Sequence, residues 1–324
     1  MNIHSIIYAL LFAGTVVGGT ALAQVDTYPS KPIRILVPLA AGGPTDVLAR
    51  SIAQNLTEKW GQSVLVDNRP GANTNIGTAA VAKSPADGYT LLLTVNNLTI
   101  NPSMYQDMPF DSIKDFSPIS MFATSPLVLV VNPSVQAKSV KDLIALAKAS
   151  PGTMHFGSPG NGSLPHLAGE LFNTLAGVKL AHVPYKGITG AVTDLIGGQI
   201  EIMFPGSPIA LPNAKAGKLR ALATTGAKRT AAAPELPTIA ELGLPNYEMS
   251  LWYGLLAPAN TPPAIIQRLQ EEVARITALP TIIQQWAALG VEPQSTTPEQ
   301  FAAYLKSDIG KWQKIIRESG AKMD

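Results

Sequence analysis

The sequence predicts an α/β protein of two lobes with a ligand cleft between them. Three observations carry this expectation. Strand and helix patterns alternate in two successive series, strands such as IRILVPL and YTLLLTV are almost continuously apolar, and no flexible tether separates the series. The chain has 324 residues, 46% of them hydrophobic and 14% charged, which suits two ordinary domains and excludes a disordered chain.

The first element is a leader. Residues 6–17 form an almost unbroken apolar run, followed by small residues and Ala21-Leu22-Ala23, an A-x-A cleavage pattern. Residues 1–23 therefore read as a signal peptide cut after Ala23, which sends the mature chain out of the cytoplasm. An uncleaved anchor is the competing reading; the run is short for a span of about 20 residues and lacks a basic stop-transfer flank. Gln24, where a lipoprotein would carry Cys, leaves no lipid attachment thiol.

The first series then reads strand 33–39, helix 45–60, strand 64–68, helix 74–83 and strand 90–94, the order of a parallel sheet covered on both faces. Residues 116–131 continue as apolar, strand-like sequence into the second series. There the pattern predicts strand 127–131, helix 139–149 with Ser139 as N-cap, strand 154–156, helix 164–176, strand 180–183, helix 189–197, and strands 200–204 and 221–224. A last strand at 251–257 precedes three helices at 263–277, 280–289 and 298–319, each with Pro at its start. Crossings near 123–127 and 249–254 make the first lobe discontinuous, with residues 24–125 plus 252–324 in one lobe and 126–251 in the other. Two strand crossovers of this kind form a hinge.

Composition excludes several classes. The net charge is +2 and no basic stripe appears, so a nucleic-acid partner is not expected. The cysteine count of zero removes disulfides, thiolate nucleophiles and cysteine metal sites. No cofactor or metal motif is present, and with no sustained heptad the chain is expected to be a monomer.

Two loops could carry ligand chemistry. Leu39-Ala40-Ala41-Gly42-Gly43-Pro44-Thr45-Asp46 joins a strand end to a helix start, where free N–H groups and the helix dipole favour an anion. A plain turn with Thr45 or Asp46 capping the helix is an equal reading, and the two are compatible. Gly157-Ser158-Pro159-Gly160-Asn161-Gly162-Ser163 repeats the device in the second series, with Ser163 as N-cap and His166 in the first turn. One such start per lobe suits a clamp for a small carboxylate; coincidence in a glycine-rich chain is the bland alternative. Val95, Asn96 and Asn97, Tyr185 and Lys186, and Pro205, Gly206 and Ser207 are further candidates because they sit at strand ends, where α/β sheets collect ligands.

Catalysis is poorly supplied. H-E-x-x-H, G-x-S-x-G and clustered carboxylates are all missing, His155 and His182 lie in apolar strands, and Asp46 reads more readily as a dipole partner than as a base. A binding protein is the expectation, with an exported small-acid enzyme or a sensor as rivals. Tyr185, Trp252 and Tyr253 could stack on an aromatic ligand or simply fill the core.

The stretches YPSKPIRILVPLAAGGPTDVLAR, VDNRPGANTNIGTAAVAKSPADGYTLLL, FGSPGNGSLPHLAGELF, HVPYKG, AGKLRALATTG and WYGLLAPANTP together resemble the Bug (TctC-like) solute receptors of tripartite tricarboxylate transporters. The resemblance implies a two-lobed, type II-like periplasmic binding protein that closes on a small organic carboxylate and delivers it to membrane transporter subunits. It also implies that the loops 41–46 and 158–166 act as pincers, holding the carboxylate by main-chain groups, small hydroxyls and water. Gly42, Gly43, Thr45, Asp46, Ser158, Gly162, Ser163 and His166 match family positions. Ala41 and Leu39 depart from the family's usual proline and aromatic.

Overall fold

A computed structural model describes residues 28–319; the expected signal segment, residues 1–23, lies outside them. Two sheets organise the chain. The first contains β1 (Ile33–Val37), β2 (Val64–Asn68), β3 (Thr90–Thr94), β4 (Phe116–Pro126), β10 (Ser250–Pro258) and β11 (Glu292–Pro293), in the order β11-β4-β10-β3-β1-β2. The second contains β5 (Val128–Val131), β6 (His155–Ser158), β7 (Ala181–Pro184), β8 (Ile202–Met203) and β9 (Arg220–Thr224), in the order β7-β6-β8-β5-β9.

The sheets are mixed rather than purely parallel, which corrects the sequence expectation. β1 pairs in parallel with β2 and β3, but β10 runs antiparallel between β3 and β4. In the second sheet β6 is parallel to β7 and β8, whereas β5 is antiparallel to β8 and β9. β5 and β10, the strands that run against both neighbours, are those that receive the chain from the other sheet. They are buried on both faces and so have the same continuous apolar pattern as parallel strands.

Alternation along the strands feeds two core layers per sheet. Ile35, Leu91, Leu93 and Leu255 face α1 (Pro44–Trp60) and α8 (Pro263–Thr277), while Leu36, Leu92 and Leu256 join Val81 of α2 (Asn75–Ala82) and Phe301 of α10 (Pro298–Ser319). Around the second sheet, Leu129 and Val131 meet Leu167 and Phe172 of α5 (Leu164–Ala176), and Val128 and Val130 meet Ala191 and Leu195 of α6 (Ile188–Gly197). Trp252 and Tyr253 are buried core residues.

Three further features shape the fold. Residues 97–104 form the helix α3 (Asn97–Met104) despite Pro102, and α7 (Ser207–Lys215) forms despite Pro212. Neither helix was expected, because interior proline argues against one. The expected N-cap at Ser139 accepts from the Asp142 N–H at 3.1 Å at the start of α4 (Val140–Ala149). Finally, α10 spans both lobes. Phe301 and Leu305 pack on the first sheet, whereas Trp312 and Ile316 enter the core against the second.

Candidate ligand-binding site

Both glycine-rich helix starts are present, and their chemistry differs. In the first lobe Gly42 turns the chain with φ +79° and donates its N–H to Asp46 Oδ2 at 2.9 Å. Arg50 Nε donates to the same oxygen at 3.0 Å, Arg50 Nη2 reaches Asn68 Oδ1 at 3.2 Å, and Asn68 Nδ2 returns to the Leu39 carbonyl at 3.1 Å. Asp46 thus ties the loop to the helix that follows it. Burial raises its pKa, but the Arg50 and Gly42 hydrogen bonds outweigh that and hold the carboxyl below its ordinary value. At the helix end itself, Gly43 is the N-cap and supplies no side-chain cap, and Pro44 has no N–H. The N–H groups of Thr45 and Asp46 find no acceptor among the described residues. Ala41 and Gly42 are exposed beside these free donors, and Leu39 is half-buried. Unpaired N–H groups at a helix start are the chemistry that favours an anion.

The second helix start is occupied by its own loop. Ser163 Oγ caps the His166 N–H at 3.4 Å and donates to the Gly160 carbonyl at 2.7 Å, while the Gly162 N–H donates to His166 Nδ1 at 3.1 Å. Ser158 Oγ lies 3.1 Å from the Gly160 nitrogen, 3.0 Å from its oxygen and 2.7 Å from His182 Nε2. The His166 and His182 rings stack with centroids 3.9 Å apart. Burial, and after it the neighbouring His166, pushes the His182 pKa down to about 3, so the ring is neutral. Burial raises the carboxyl of Glu170, whose Oε1 is 3.8 Å from His166 Nε2.

The neighbouring strand end is fastened to this loop. The Tyr185 N–H donates to the Ser158 carbonyl at 3.0 Å and the Gly187 N–H to the Pro159 carbonyl at 3.1 Å. Tyr185 Oη donates to Asp194 at 2.7 Å; burial, and after it this bond, moves the phenol up to about 12, and the adjacent Lys186 is exposed. Asn161 is half-buried at the turn.

The remaining candidates serve the crossings between sheets. Val95 is buried in the first core, and Asn96 donates from Nδ2 to the Ser250 carbonyl at 3.2 Å and accepts the Trp252 N–H at 3.0 Å. Asn97 Nδ2 donates to Asn73 Oδ1 at 2.6 Å, and Asn73 in turn donates to Asn101 at 2.7 Å. Pro205 accepts the Val128 N–H, Gly206 bridges Leu127, and Ser207 Oγ donates to the Pro126 carbonyl at 2.8 Å. Sequence reasoning missed Arg50, Asn68, Asn73 and His182. Only the Asn and Gly clustering at 68–75 signalled a structured loop, since each residue's role depends on a partner from another element.

With this geometry in hand, comparison with known proteins is direct. Protein BugT of Bordetella pertussis is 40% identical over 308 residues, covering 94% of each chain. An R. palustris protein solved with adipate superposes with a TM-score of 0.87 at 36% identity, covering 92% of this chain and 100% of that one. Periplasmic binding protein BugD gives 0.84 at 31%, with 92% and 100% covered, and MatC from Rhodopseudomonas palustris, solved with malate, gives 0.82 at 26%, with 89% and 100% covered. Residues 48–321 match the tripartite tricarboxylate transporter family receptor, TctC, and the chain belongs to that family.

Proposed function

We propose that this protein is a periplasmic receptor that closes its two lobes on a small organic carboxylate and passes it to membrane transporter subunits. The observation that carries this reading is the open start of α1, where the Thr45 and Asp46 N–H groups lack acceptors beside an exposed glycine turn. Relatives over nearly the whole chain were solved with adipate and with malate, both carboxylic acids. The helix dipole and free N–H groups stabilise a carboxylate without an arginine clamp, and water bridges add little entropic cost.

In this reading the first lobe, residues 24–125 and 252–324, binds the anion at Gly42, Gly43, Thr45 and Asp46. The second, residues 126–251, closes over it with the loop that Ser158, Asn161, Gly162, Ser163 and His166 form and hold in place. Tyr185 and Lys186 flank the second loop. Val95 to Asn97 and Pro205 to Ser207 brace the crossings, and α10 links the lobes. The mature chain acts as a monomer in the periplasm after loss of residues 1–23.

Binding without turnover is part of the proposal. Asp46 is ion-paired, and Ser158, although close to His182, is wholly buried and held by its own loop. Calorimetry of the purified protein against adipate, malate and a set of monocarboxylates tests it. Saturable one-to-one binding of at least one acid, with the acid recovered unchanged, is expected; no heat and no thermal shift with any member overturns it.

A further inference from the structure

We propose that His182 is a positioning residue that braces both ends of the second ligand loop, although it stands on a neighbouring strand and outside the loop itself. The inference rests on the receptor reading above, and deepens it by adding a residue that shapes the site from behind.

The placement follows from strand geometry. Phe156 of β6 pairs directly with His182 of β7, and in a parallel pair such residues project to the same face. Ser158, two residues after Phe156, shares that face. The face is covered by α5, which brings His166 over the same spot. Gly169 makes the close approach possible: a Cβ there would lie 2.1 Å from the Phe156 ring. The His182 and His166 rings then stack with centroids 3.9 Å apart, and the Phe156 ring lies tilted against His182 at 4.9 Å.

Within that stack His182 has two separate contacts. Its Nε2 meets Ser158 Oγ at 2.7 Å, and Ser158 Oγ is also within hydrogen-bond distance of both the nitrogen and the oxygen of Gly160. An Nε2–H imidazole satisfies all three contacts at once: Ser158 accepts from His182 and from Gly160, and donates to the Gly160 carbonyl. The Gly160 carbonyl also takes the Ser163 hydroxyl at 2.7 Å, so the start of the turn is pinned through Ser158. The second contact is the stacked face of His166, whose Nδ1 accepts the Gly162 N–H and so pins the end of the turn. A ring that merely filled core volume would need neither the directed hydrogen bond nor the aligned stack.

The two contacts can be separated. His182→Phe keeps a ring against His166 but loses the bond to Ser158; His182→Gln places an amide where Nε2 stood but loses the ring. With adipate as probe, His182→Phe should melt within a few degrees of the parent yet bind about tenfold more weakly, the scale of one lost buried hydrogen bond. His182→Gln, which keeps the bond to Ser158 but gives up the stack on His166, should also bind more weakly than the parent, though less so than His182→Phe. Ser158→Ala should weaken binding comparably, and the His182→Phe/Ser158→Ala pair should be no weaker than either alone, because both remove one link. Additive losses, or parental affinity in His182→Phe, overturn the proposal. A ligand-free arm keeps it decidable if a variant misfolds or the parent binds none of the acids. Nitrogen NMR of the parent should show His182 as a neutral Nε2–H imidazole whose resonance moves in Ser158→Ala; an unmoved resonance, or the other tautomer, overturns it. Failure of the parent to bind with the NMR signature intact would count against the receptor reading alone.

Discussion

Asp308 of the last helix accepts the indole N–H of Trp252 at 3.0 Å, on the strand that returns the chain to the first sheet. The same oxygen accepts the Thr99 hydroxyl at 2.7 Å, and Asp308 is only 4% exposed. One carboxylate thus joins α10, α3 and the crossing strand β10.

Replacing Asp308 by Ala leaves the buried indole N–H of Trp252 without an acceptor, while the Thr99 hydroxyl can still donate to the Asn96 carbonyl at 2.9 Å. A loss of about 2–3 kcal/mol is expected, with a smaller loss for Asp308→Asn, which keeps an acceptor oxygen. Urea unfolding of the two variants checks the order; an Ala variant as stable as the parent would remove Asp308 from the hinge account.

Asp46 organises the first loop rather than reacting. Asp46→Asn should lower affinity for the bound carboxylate while causing only a modest loss of stability, because Arg50 is about half exposed and its ion pair is partly screened. Its carboxyl lies below the ordinary value of 3.8, so its contribution is present above that pH and lost as pH falls through the depressed pKa. Affinity measured against pH should therefore show no loss from this group between pH 5 and 8.

His182 acts in a different window. Unfolded imidazole titrates near 6.5, whereas the folded ring is held at about 3 by burial and by His166, with the raised Glu170 carboxyl beyond it. Between these values the unfolded chain takes up a proton that the folded chain refuses. Stability is fully present above 6.5 and falls as pH drops, by at most about 1.4 kcal/mol per unit from this group, less its partial exposure. Parent and His182→Gln unfolded in urea at pH 7, 6 and 5 should differ by a margin that shrinks with pH; a constant margin would contradict the assignment.

What could be read from sequence was local. The cap at Ser139, the cap at Ser163 and the apolar runs of β1 and β3 depend on neighbours in the chain, and all appear where their residues place them. Asn96 looked like a polar loop tip, but its amide is taken by Ser250 and Trp252, more than 150 positions away. His182 looked like a core histidine because nothing in HVPYKG reveals that Ser158 lies beside it. The antiparallel run of β10 was hidden for a related reason, since burial on both faces erases the alternation that separates the two kinds of sheet.

The last helix offers a final test, because it packs on both lobes. Trp312 is 1% exposed in the second core, and its Nε1 has no hydrogen-bond partner among the described residues. Truncation should therefore cost stability, and removal of the unpaired donor should give part of it back. Trp312→Ala opens a cavity and should cost about 3–5 kcal/mol. Trp312→Phe removes an unsatisfied buried donor along with part of the ring, so relief of the polar penalty offsets part of the packing loss and the cost should fall below about 2 kcal/mol. Denaturant unfolding of both variants decides this, and a Phe variant as damaged as the Ala variant would mean that the indole N–H has a partner. If α10 also limits how far the lobes swing, the Ala variant should widen the ligand-free particle in solution scattering while the Phe variant leaves it unchanged.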